Sequence, residues 1–131
     1  MHWPIVGDLT SPSLYPKSLC LSKAKKYADH GDKMPGKVAQ LRSMLLNASG
    51  TATALYFHCD AGMDRTGEMY GDYMMTYKNQ SYAEVYAFDN DVENPPRDIN
   101  TVNKQALEWM CLYLREAEGV PQAVLQCNMC T

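Results

Sequence analysis

The chain has 131 residues, of which 46% are hydrophobic and 21% charged, and its formal net charge is -3. This length and apolar content predict one globular domain with a modest core. The net negative charge does not favour binding to nucleic acid, whose phosphates are also negative. No apolar run approaches the roughly 18 residues that a membrane-spanning helix needs. We therefore expect neither a nucleic-acid partner nor a transmembrane segment.

Two helices are predicted in the first third of the chain, after a turn-rich N-terminus. A basic, weakly periodic stretch from Ser18 to Asp29 predicts a short exposed helix, which Gly31 ends. The second helix is better signalled, because Asp32 is available as an N-cap and Pro35 suits a first turn. Its apolar residues recur at helical spacing, at Val38, Leu41 and Leu45.

The centre of the chain has the pattern of a strand, a loop and a helix. An apolar run from Thr53 to Phe57 has strand character, and it is predicted to deliver His58 and Cys59 to the carboxyl edge of a sheet. Five residues follow, and a segment with helical periodicity then begins at Arg65. The carboxyl edge is where ligands bind in open α/β folds, so this loop is the predicted functional site.

The loop after Cys59 has the dimensions of a phosphate site. Five residues suffice to curl the backbone so that successive N–H groups converge on one point, where the positive end of the following helix also aims. The same field favours a thiolate over a thiol, so Cys59 is predicted to be a nucleophile. The residues expected to hold a phosphate are Asp60, Ala61, Gly62, Met63, Asp64 and Arg65.

Two side chains at the end of this loop suit phosphoryl transfer. Arg65 offers a planar fork that can hold two phosphate oxygens and follow the charge as it moves to the equatorial oxygens in the transition state. Thr66 is placed to donate a hydroxyl hydrogen bond to the Cys59 sulfur. That hydrogen bond would make the thiolate a better leaving group when a phospho-enzyme is hydrolysed.

The whole loop resembles a known signature. The run His58-Cys59-Asp60-Ala61-Gly62-Met63-Asp64-Arg65-Thr66-Gly67 is similar to the His-Cys-x5-Arg-Thr-Gly loop of the protein tyrosine phosphatase superfamily, particularly its dual-specificity branch. The resemblance covers residues 50 to 90, with a weaker echo at the N-terminus. It implies hydrolysis of a phosphate monoester through a cysteinyl-phosphate, without metal or cofactor. It also implies that His58 orders the loop and helps to keep the thiolate.

The resemblance also implies a fold and a domain organisation. We expect an α/β domain with a cysteine-phosphatase-like sheet and flanking helices, in which the N-terminal part of the sheet is reduced or absent. Residues 1–121 would form the phosphatase-like catalytic domain, and residues 122–131 a C-terminal tail. In the family, several strands precede the Trp-Pro-Asp loop, which the run from His2 to Asp8 resembles. Either the sheet is reduced here or the chain is a fragment.

Two aspartates are candidates for the general acid that protonates the leaving oxygen. The N-terminal run from His2 to Asp8 resembles the Trp-Pro-Asp loop of tyrosine phosphatases, but Ile5 stands at the acid position, so Asp8 is one candidate. Asp64 is the other, because Cys-x4-Asp-Arg-Thr also resembles loops of myotubularin-like lipid phosphatases and bacterial atypical phosphatases, in which the aspartate is the proposed acid. Asp64 is slightly preferred, since its place near the phosphate follows from sequence. The alternatives are a solvated turn residue for Asp8 and a structural carboxylate for Asp64.

Three further helical signals follow the loop. One helix is predicted from about Thr66 to Tyr77, with Tyr70, Tyr73, Met74 and Tyr77 along one face as core or partner surface. Ser81 and Glu84 form a capping-box pattern that opens a second helix, with Val85 and Phe88 facing inward. The last helix is predicted from Asn100 to Glu118, with an apolar stripe of Val102, Ala106, Trp109 and Tyr113.

The remaining cysteines and the cell compartment are less constrained. Cys20 and Cys111 are predicted to be small buried hydrophobes. The tail pair Cys127 and Cys130 is a weak zinc signal, and a frayed tail or an incidental disulfide is preferred. A catalytic thiol must stay reduced, which makes the cytoplasm the default location. Two matches to the N-glycosylation triplet, Asn47-Ala48-Ser49 and Asn79-Gln80-Ser81, would matter if the chain entered the secretory pathway.

The predicted function is therefore a phosphotyrosine or dual-specificity protein phosphatase that acts on a phosphoprotein or phosphopeptide. The loop holds Asp60 and Asp64 but no lysine, which suits a monophosphorylated substrate better than a highly phosphorylated inositol. A phosphoinositide phosphatase is the first alternative, because of the Asp-Arg-Thr run. The second is a catalytically weak pseudophosphatase that binds phosphate as an interaction module, because Ile5 replaces the expected acid.

Overall fold

A computed structural model describes residues 1–47 and 54–130. Within these residues the chain forms six α-helices, and two short 3-10 turns lie at Pro12–Leu14 and Tyr27–Asp29. The helices are α1 (Lys17–Lys25), α2 (Met34–Leu46), α3 (Asp64–Tyr77), α4 (Tyr82–Asn90), α5 (Thr101–Glu116) and α6 (Gln122–Leu125). None of the described helices is long and apolar enough to cross a membrane.

The predicted α/β fold, with a phosphatase-like sheet and flanking helices, is wrong. The part of the chain that the structure describes is all-helical and contains no strand. Residues 54–57 of the predicted strand have no regular secondary structure, and Thr53 lies outside the described residues. A strand needs a partner for its backbone N–H and C=O groups. The other apolar patterns in the sequence have helical spacing, so the single strand-like run finds no partner strand among the described residues.

Helix α5 lies at the centre of the fold. Its core face includes Ala106 and Trp109 of the predicted stripe, which are 1% and 3% exposed, and it packs against α1 and α3. Asn100 caps the helix, because its side chain accepts a hydrogen bond from the Asn103 N–H at 3.0 Å. The helix therefore begins as its sequence predicts and ends at Glu116, two residues before the predicted end.

Helix α3 carries the end of the phosphate-site loop into the core. It begins at Asp64, two residues before the predicted start, and ends at Tyr77 as predicted. Its buried face is not the predicted aromatic stripe, whose members are half-buried. The buried residues are Gly67, Glu68, Met69, Gly71, Asp72 and Met75. A Cβ on Gly71 would lie 2.6 Å from Leu107 Cδ2, so this glycine allows α3 and α5 to approach closely.

Helix α4 begins with the predicted capping box, which is confirmed. The Ser81 side chain accepts from the Glu84 N–H at 3.2 Å, and the Glu84 carboxylate accepts from the Ser81 N–H at 2.7 Å. Val85 is fully buried, as predicted. Phe88 is not inward-facing, because it is 51% exposed and stacks on Tyr70 at a centroid distance of 4.5 Å.

The N-terminal loop is fastened to α5 and to the turn before α2. The Asp8 N–H donates to the Val102 carbonyl at 2.8 Å. Asp32 does not cap α2, whose N-cap position is Lys33. Its carboxylate instead accepts from the N–H groups of Val6 and Gly7 at 2.7 and 2.8 Å. These contacts tie the loop that contains Trp3 to α5 and to the turn before α2.

Two disulfides hold the tail against the helices. Cys20 of α1 pairs with Cys130, and Cys111 of α5 pairs with Cys127, with Cα–Cα distances of 5.8 and 6.0 Å. These separations lie within the usual range for the bond. Cys20 and Cys111 are fully buried, as predicted, and each is also cross-linked. Residues 127–130 are thereby joined to α1 and α5.

Candidate functional site

The predicted phosphate loop leads directly into the first turn of α3. Gly62 has φ of +72°, a left-handed conformation that glycine adopts without steric cost. Met63 is fully buried and anchors the loop, and its carbonyl accepts from the Gly67 N–H at 2.7 Å. The loop therefore curls between Cys59 and α3, as its length and its glycine predict.

The Cys59 thiol is half-buried, and its pKa is lowered to about 7 from an ordinary value of 9.0. Burial alone would raise that pKa. The Thr66 hydroxyl and the backbone N–H groups of Thr66, Gly62 and Arg65 lower it more strongly, because they stabilise the charged sulfur. Backbone N–H groups of this kind are also what a loop that binds an oxyanion presents.

Three neighbouring side chains complete the loop. The Thr66 hydroxyl contributes to the lowered pKa of Cys59, and its buried oxygen has no hydrogen-bond partner among the described residues, so a charged sulfur would give it one. The His58 ring stacks on Tyr56 at a centroid distance of 5.3 Å, and its Nδ1 lies 3.2 Å from the Cys59 carbonyl oxygen. The Arg65 side chain is exposed and forms no ion pair with another described residue. Its guanidinium is available to a ligand.

Asp64 is held by a partner that the sequence did not suggest. Its carboxylate receives two hydrogen bonds from Arg97, at 3.1 and 2.9 Å, and one from the Asn100 N–H at 2.8 Å. The hydrogen bond from Arg97 is the main reason why the pKa of Asp64 is lowered. Asp64 is therefore ionised more readily than an ordinary aspartate, which suits a structural carboxylate better than a proton donor.

Asp8 has local partners of its own. Its Oδ1 accepts from the Thr10 N–H at 2.9 Å and from the Thr10 hydroxyl at 3.0 Å, which is the pattern of a turn stabilised by an aspartate. Its backbone carbonyl accepts from Gln105 Nε2 at 2.7 Å. These bonds fix Asp8 beside the start of α5, and Asp8 does not line the cavity at Cys59.

A cavity of about 470 Å³ opens beside Cys59. Cys59, Arg65 and Thr66 are among the polar residues that line it. The rest is mostly apolar or aromatic, and its main contributors are Trp3, Ile5, Leu41, Met44, Tyr56 and Phe57. Neither Asp64 nor Asp8 lines this space, whereas two histidines, His2 and His58, do.

Sequence reasoning missed two features around the site. The first is Arg97, whose signal was its place as the one cation in the proline-broken acidic stretch from Asp89 to Asp98. The second is a group of buried carboxyls, Glu68, Asp72 and Asp89, which are at most 1% exposed. The sequence feature that pointed to them was the pair of glycines on α3. The Asp89 carboxyl packs against Gly67, and a Cβ on Gly67 would lie 2.9 Å from Asp89 Cγ.

The arrangement can activate a thiolate and hold an oxyanion next to an apolar wall. Among the residues that the structure describes, no three His, Cys, Asp or Glu side chains are grouped as metal ligands. The sequence resemblance rests on residues 58–67, and the strand that it implies before the loop is absent at residues 54–57. No protein-family model, no curated protein and no solved structure matches this chain.

Proposed function

We propose that this chain is a cysteine-dependent phosphatase that hydrolyses phosphate monoesters through a cysteinyl-phosphate. The observation that carries the proposal is that Cys59, Arg65 and Thr66 line one cavity at the first turn of α3, where backbone N–H groups can bind phosphate oxygens. The lowered pKa of Cys59 supports the proposal. With a pKa of about 7, a large fraction of Cys59 is thiolate at neutral pH. A loop that only bound phosphate would have no need of this nucleophile.

The proposed reaction has two steps. In the first, the Cys59 thiolate forms a bond to phosphorus while the bond to the ester oxygen breaks, and the leaving oxygen departs with the electron pair. Arg65 and the loop N–H groups stabilise the charge on the equatorial oxygens. In the second, water attacks phosphorus and the sulfur leaves as thiolate, which the Thr66 hydroxyl stabilises. Phosphate and the free enzyme result, and the proton balance is completed by solvent.

The site suits a substrate whose leaving group is an aryl oxide. Asp64 is paired with Arg97 and Asp8 with Thr10, so neither carboxylate is in position in this conformation to protonate a leaving oxygen. An aryl oxide needs that proton least, because it is a weaker base than an alkoxide. The aromatic lining around Trp3, Tyr56 and Phe57 also fits an aryl ring. Phosphotyrosine in a peptide or protein is therefore the proposed substrate class.

The second candidate function is a phosphate-binding interaction module. The absence of Asp8 and Asp64 from the cavity lining favours it, since an enzyme acting on alkyl phosphates depends on a proton donor. A phosphoinositide phosphatase is a weaker alternative, because the residues that line the cavity include Arg65 but no lysine to pair with additional ring phosphates.

The test is phosphate release under mild conditions from three substrates: an aryl phosphate, a phosphotyrosine peptide and a phosphoinositide. We expect the aryl phosphate and the peptide to be hydrolysed, Cys59→Ser to abolish release, and Arg65→Lys to reduce it severely, because lysine lacks the bidentate fork. Arg115→Lys is the matched control, since Arg115 pairs with Glu116 far along α5. Turnover that survives in Cys59→Ser would overturn the mechanism, and binding without turnover in the parent would favour the interaction module.

A further inference from the structure

Every cysteine except the nucleophile is used in a disulfide. Cys111 and Cys127 are 0% and 1% exposed, so their cross-link is part of the core rather than a surface accident. Cys20, also 0% exposed, is joined to Cys130 across a sequence separation of 110 residues. Buried structural disulfides form and persist in oxidising compartments and are rare where glutathione keeps thiols reduced.

The two disulfides indicate an oxidising compartment more strongly than the Cys59 thiol indicates the cytoplasm. The case for the cytoplasm rests on Cys59 alone, and Cys59 has no disulfide partner, since the other four cysteines pair with one another. A single unpaired thiol has no second cysteine within the chain with which to form a stable cross-link. The nucleophile can therefore remain free while the structural pairs are oxidised.

The glycosylation triplet at Asn79 lies where an oligosaccharide can be accommodated. Asn79 is exposed, and it lies in the turn between Tyr77 at the end of α3 and Tyr82 at the start of α4. Its φ of +55° is a left-handed conformation that asparagine tolerates better than most residues. The third residue of the triplet, Ser81, is the N-cap of α4 in the folded chain, and its hydroxyl is needed for recognition before folding is complete.

The position of Asn79 also separates it from the cavity. Helix α3 has 14 residues, so its two ends are about 21 Å apart at the rise of an α-helix. The Cys59 loop meets the first end and Asn79 follows the last. Asn47 is less suitable, because it directly follows α2, whose Leu41 and Met44 line the cavity.

From these observations we infer that the chain matures in an oxidising, secretory compartment, where Cys20–Cys130 and Cys111–Cys127 form and Asn79 carries an N-linked glycan. The choice of Asn79 over Asn47 rests on the proposed function, because it uses the position of the proposed site, whereas the assignment of the compartment does not. The inference rests on the cross-linking of four buried or half-buried cysteines and on an exposed acceptor asparagine at the end of α3 that lies remote from the site.

To test this inference, the full chain is expressed behind a cleavable leader in a eukaryotic host, and the secreted product is analysed. Peptide mapping without reductant should find the two proposed cross-linked peptides and one alkylated cysteine, Cys59. Release of glycans by an amidase in heavy-oxygen water should convert Asn79 to labelled aspartate. Asn79→Gln should remove the shift in gel mobility that the glycan causes, and the matched variant Asn47→Gln should retain that shift.

Two further variants distinguish an effect on glycosylation from an effect on the cap of α4. Ser81→Thr keeps both the triplet and a capping hydroxyl, so glycosylation and the melting midpoint should be retained. Asn79→Asp removes only the acceptor, so the protein should fold without the glycan. An unmodified Asn79 in folded, secreted protein would overturn the modification site. Four alkylatable cysteines besides Cys59 in the folded product would overturn the assignment of an oxidising compartment.

Discussion

The carboxylate of Asp64 lies one residue before Arg65 in the chain but is paired with Arg97 in space. The guanidinium of Arg97 also donates to Glu93 at 2.8 Å, so it is held between two carboxylates. Through Asp64 it joins the first turn of α3 to the segment that precedes α5. In the proposed mechanism Asp64 and Arg97 are therefore positioning residues, because they act on the shape of the loop from Cys59 to Arg65 rather than on the leaving group.

Changing Asp64 to Asn should therefore slow all substrates by a similar factor. The reason is that the loss of the Arg97 pairing loosens the loop, which affects activated and poor leaving groups alike. Loss of a general acid would instead penalise poor leaving groups preferentially, by about 10²- to 10⁴-fold. The measurement is kcat/KM for a series of aryl phosphates with leaving groups of different basicity. Arg97→Gln should reproduce the defect and Arg115→Gln should not, whereas a defect confined to the poor leaving groups would identify Asp64 as the acid.

The thiolate of Cys59 should be measurable by its reactivity. Alkylation by iodoacetamide should increase with pH through a midpoint of about 7, because the pKa of Cys59 is lowered to that value. Thr66→Val should move the midpoint upward, since it removes the hydroxyl that stabilises the sulfur. Thr76→Val is the matched control, because the Thr76 hydroxyl donates to the Asp72 carbonyl within α3. An unchanged midpoint in Thr66→Val would contradict the role given to Thr66.

At the scale of elements, Gly7 fixes how the N-terminal loop meets α5. Its φ is +92°, and a Cβ there would lie 2.6 Å from the backbone C and O of Val102. Neither atom can yield, because both belong to the backbone of α5. The loop that carries Trp3 to the cavity therefore depends on the absence of a side chain at this position.

Gly7→Ala should destabilise the protein, while Gly36→Ala should not. Gly36 lies in α2, and a Cβ there would meet nothing within 4 Å. Alanine at that position should raise the free energy of unfolding by about 0.5 to 1 kcal/mol through helix propensity. Gly7→Ala should lower the free energy of unfolding by more than this, because of the backbone clash and the positive φ. Denaturant unfolding of both variants measures the difference, and equal effects would contradict the contact with Val102.

The helical elements could be predicted from sequence because their signals are local. Asn100 and the Ser81–Glu84 pair cap their helices through bonds that span three residues, so the pattern alone specifies them. The strand prediction is wrong at residues 54–57, because a strand is defined by a partner elsewhere in the chain. The length of the loop and Gly62 predicted a turn between Cys59 and α3, whereas the Asp64–Arg97 pairing, across 33 residues, carries no local signal.

At the scale of the whole molecule, the buried carboxyls of α3 and α4 link stability to pH. Burial raises the pKa of Glu68 to about 8, against the hydrogen bond from Asn103, and it raises the pKa of Asp89 to about 8. Burial also raises the pKa of Asp72, and the neighbouring charges of Glu68 and Asp89 raise it further. No side-chain oxygen of Asp72 or Asp89 has a hydrogen-bond partner among the described residues, so the neutral forms are favoured.

The free energy of unfolding should therefore fall as the pH rises from about 5 to 8. The folded state keeps protons that the unfolded state releases above the ordinary carboxyl pKa near 4, and this penalty grows until the pH passes the folded pKa values of about 8. Denaturant unfolding in a Cys59→Ser background measures the slope without the opposing contribution of the thiol. Asp72→Asn should flatten the slope, and Asp91→Asn, at an exposed position, should not. Stability that rises with pH over this range would contradict the assignment.

The most direct test of the central claim is to look for phosphate on Cys59. The protein is mixed with an aryl phosphate, quenched in acid and analysed by peptide mass spectrometry. We expect one phosphoryl group on the peptide that contains Cys59, more of it in Thr66→Val because the second step is slowed, and none in Cys59→Ser. Hydrolysis by the parent with no phosphoryl group on Cys59, or with the same label present in Cys59→Ser, would contradict the cysteinyl-phosphate and with it the proposed enzyme.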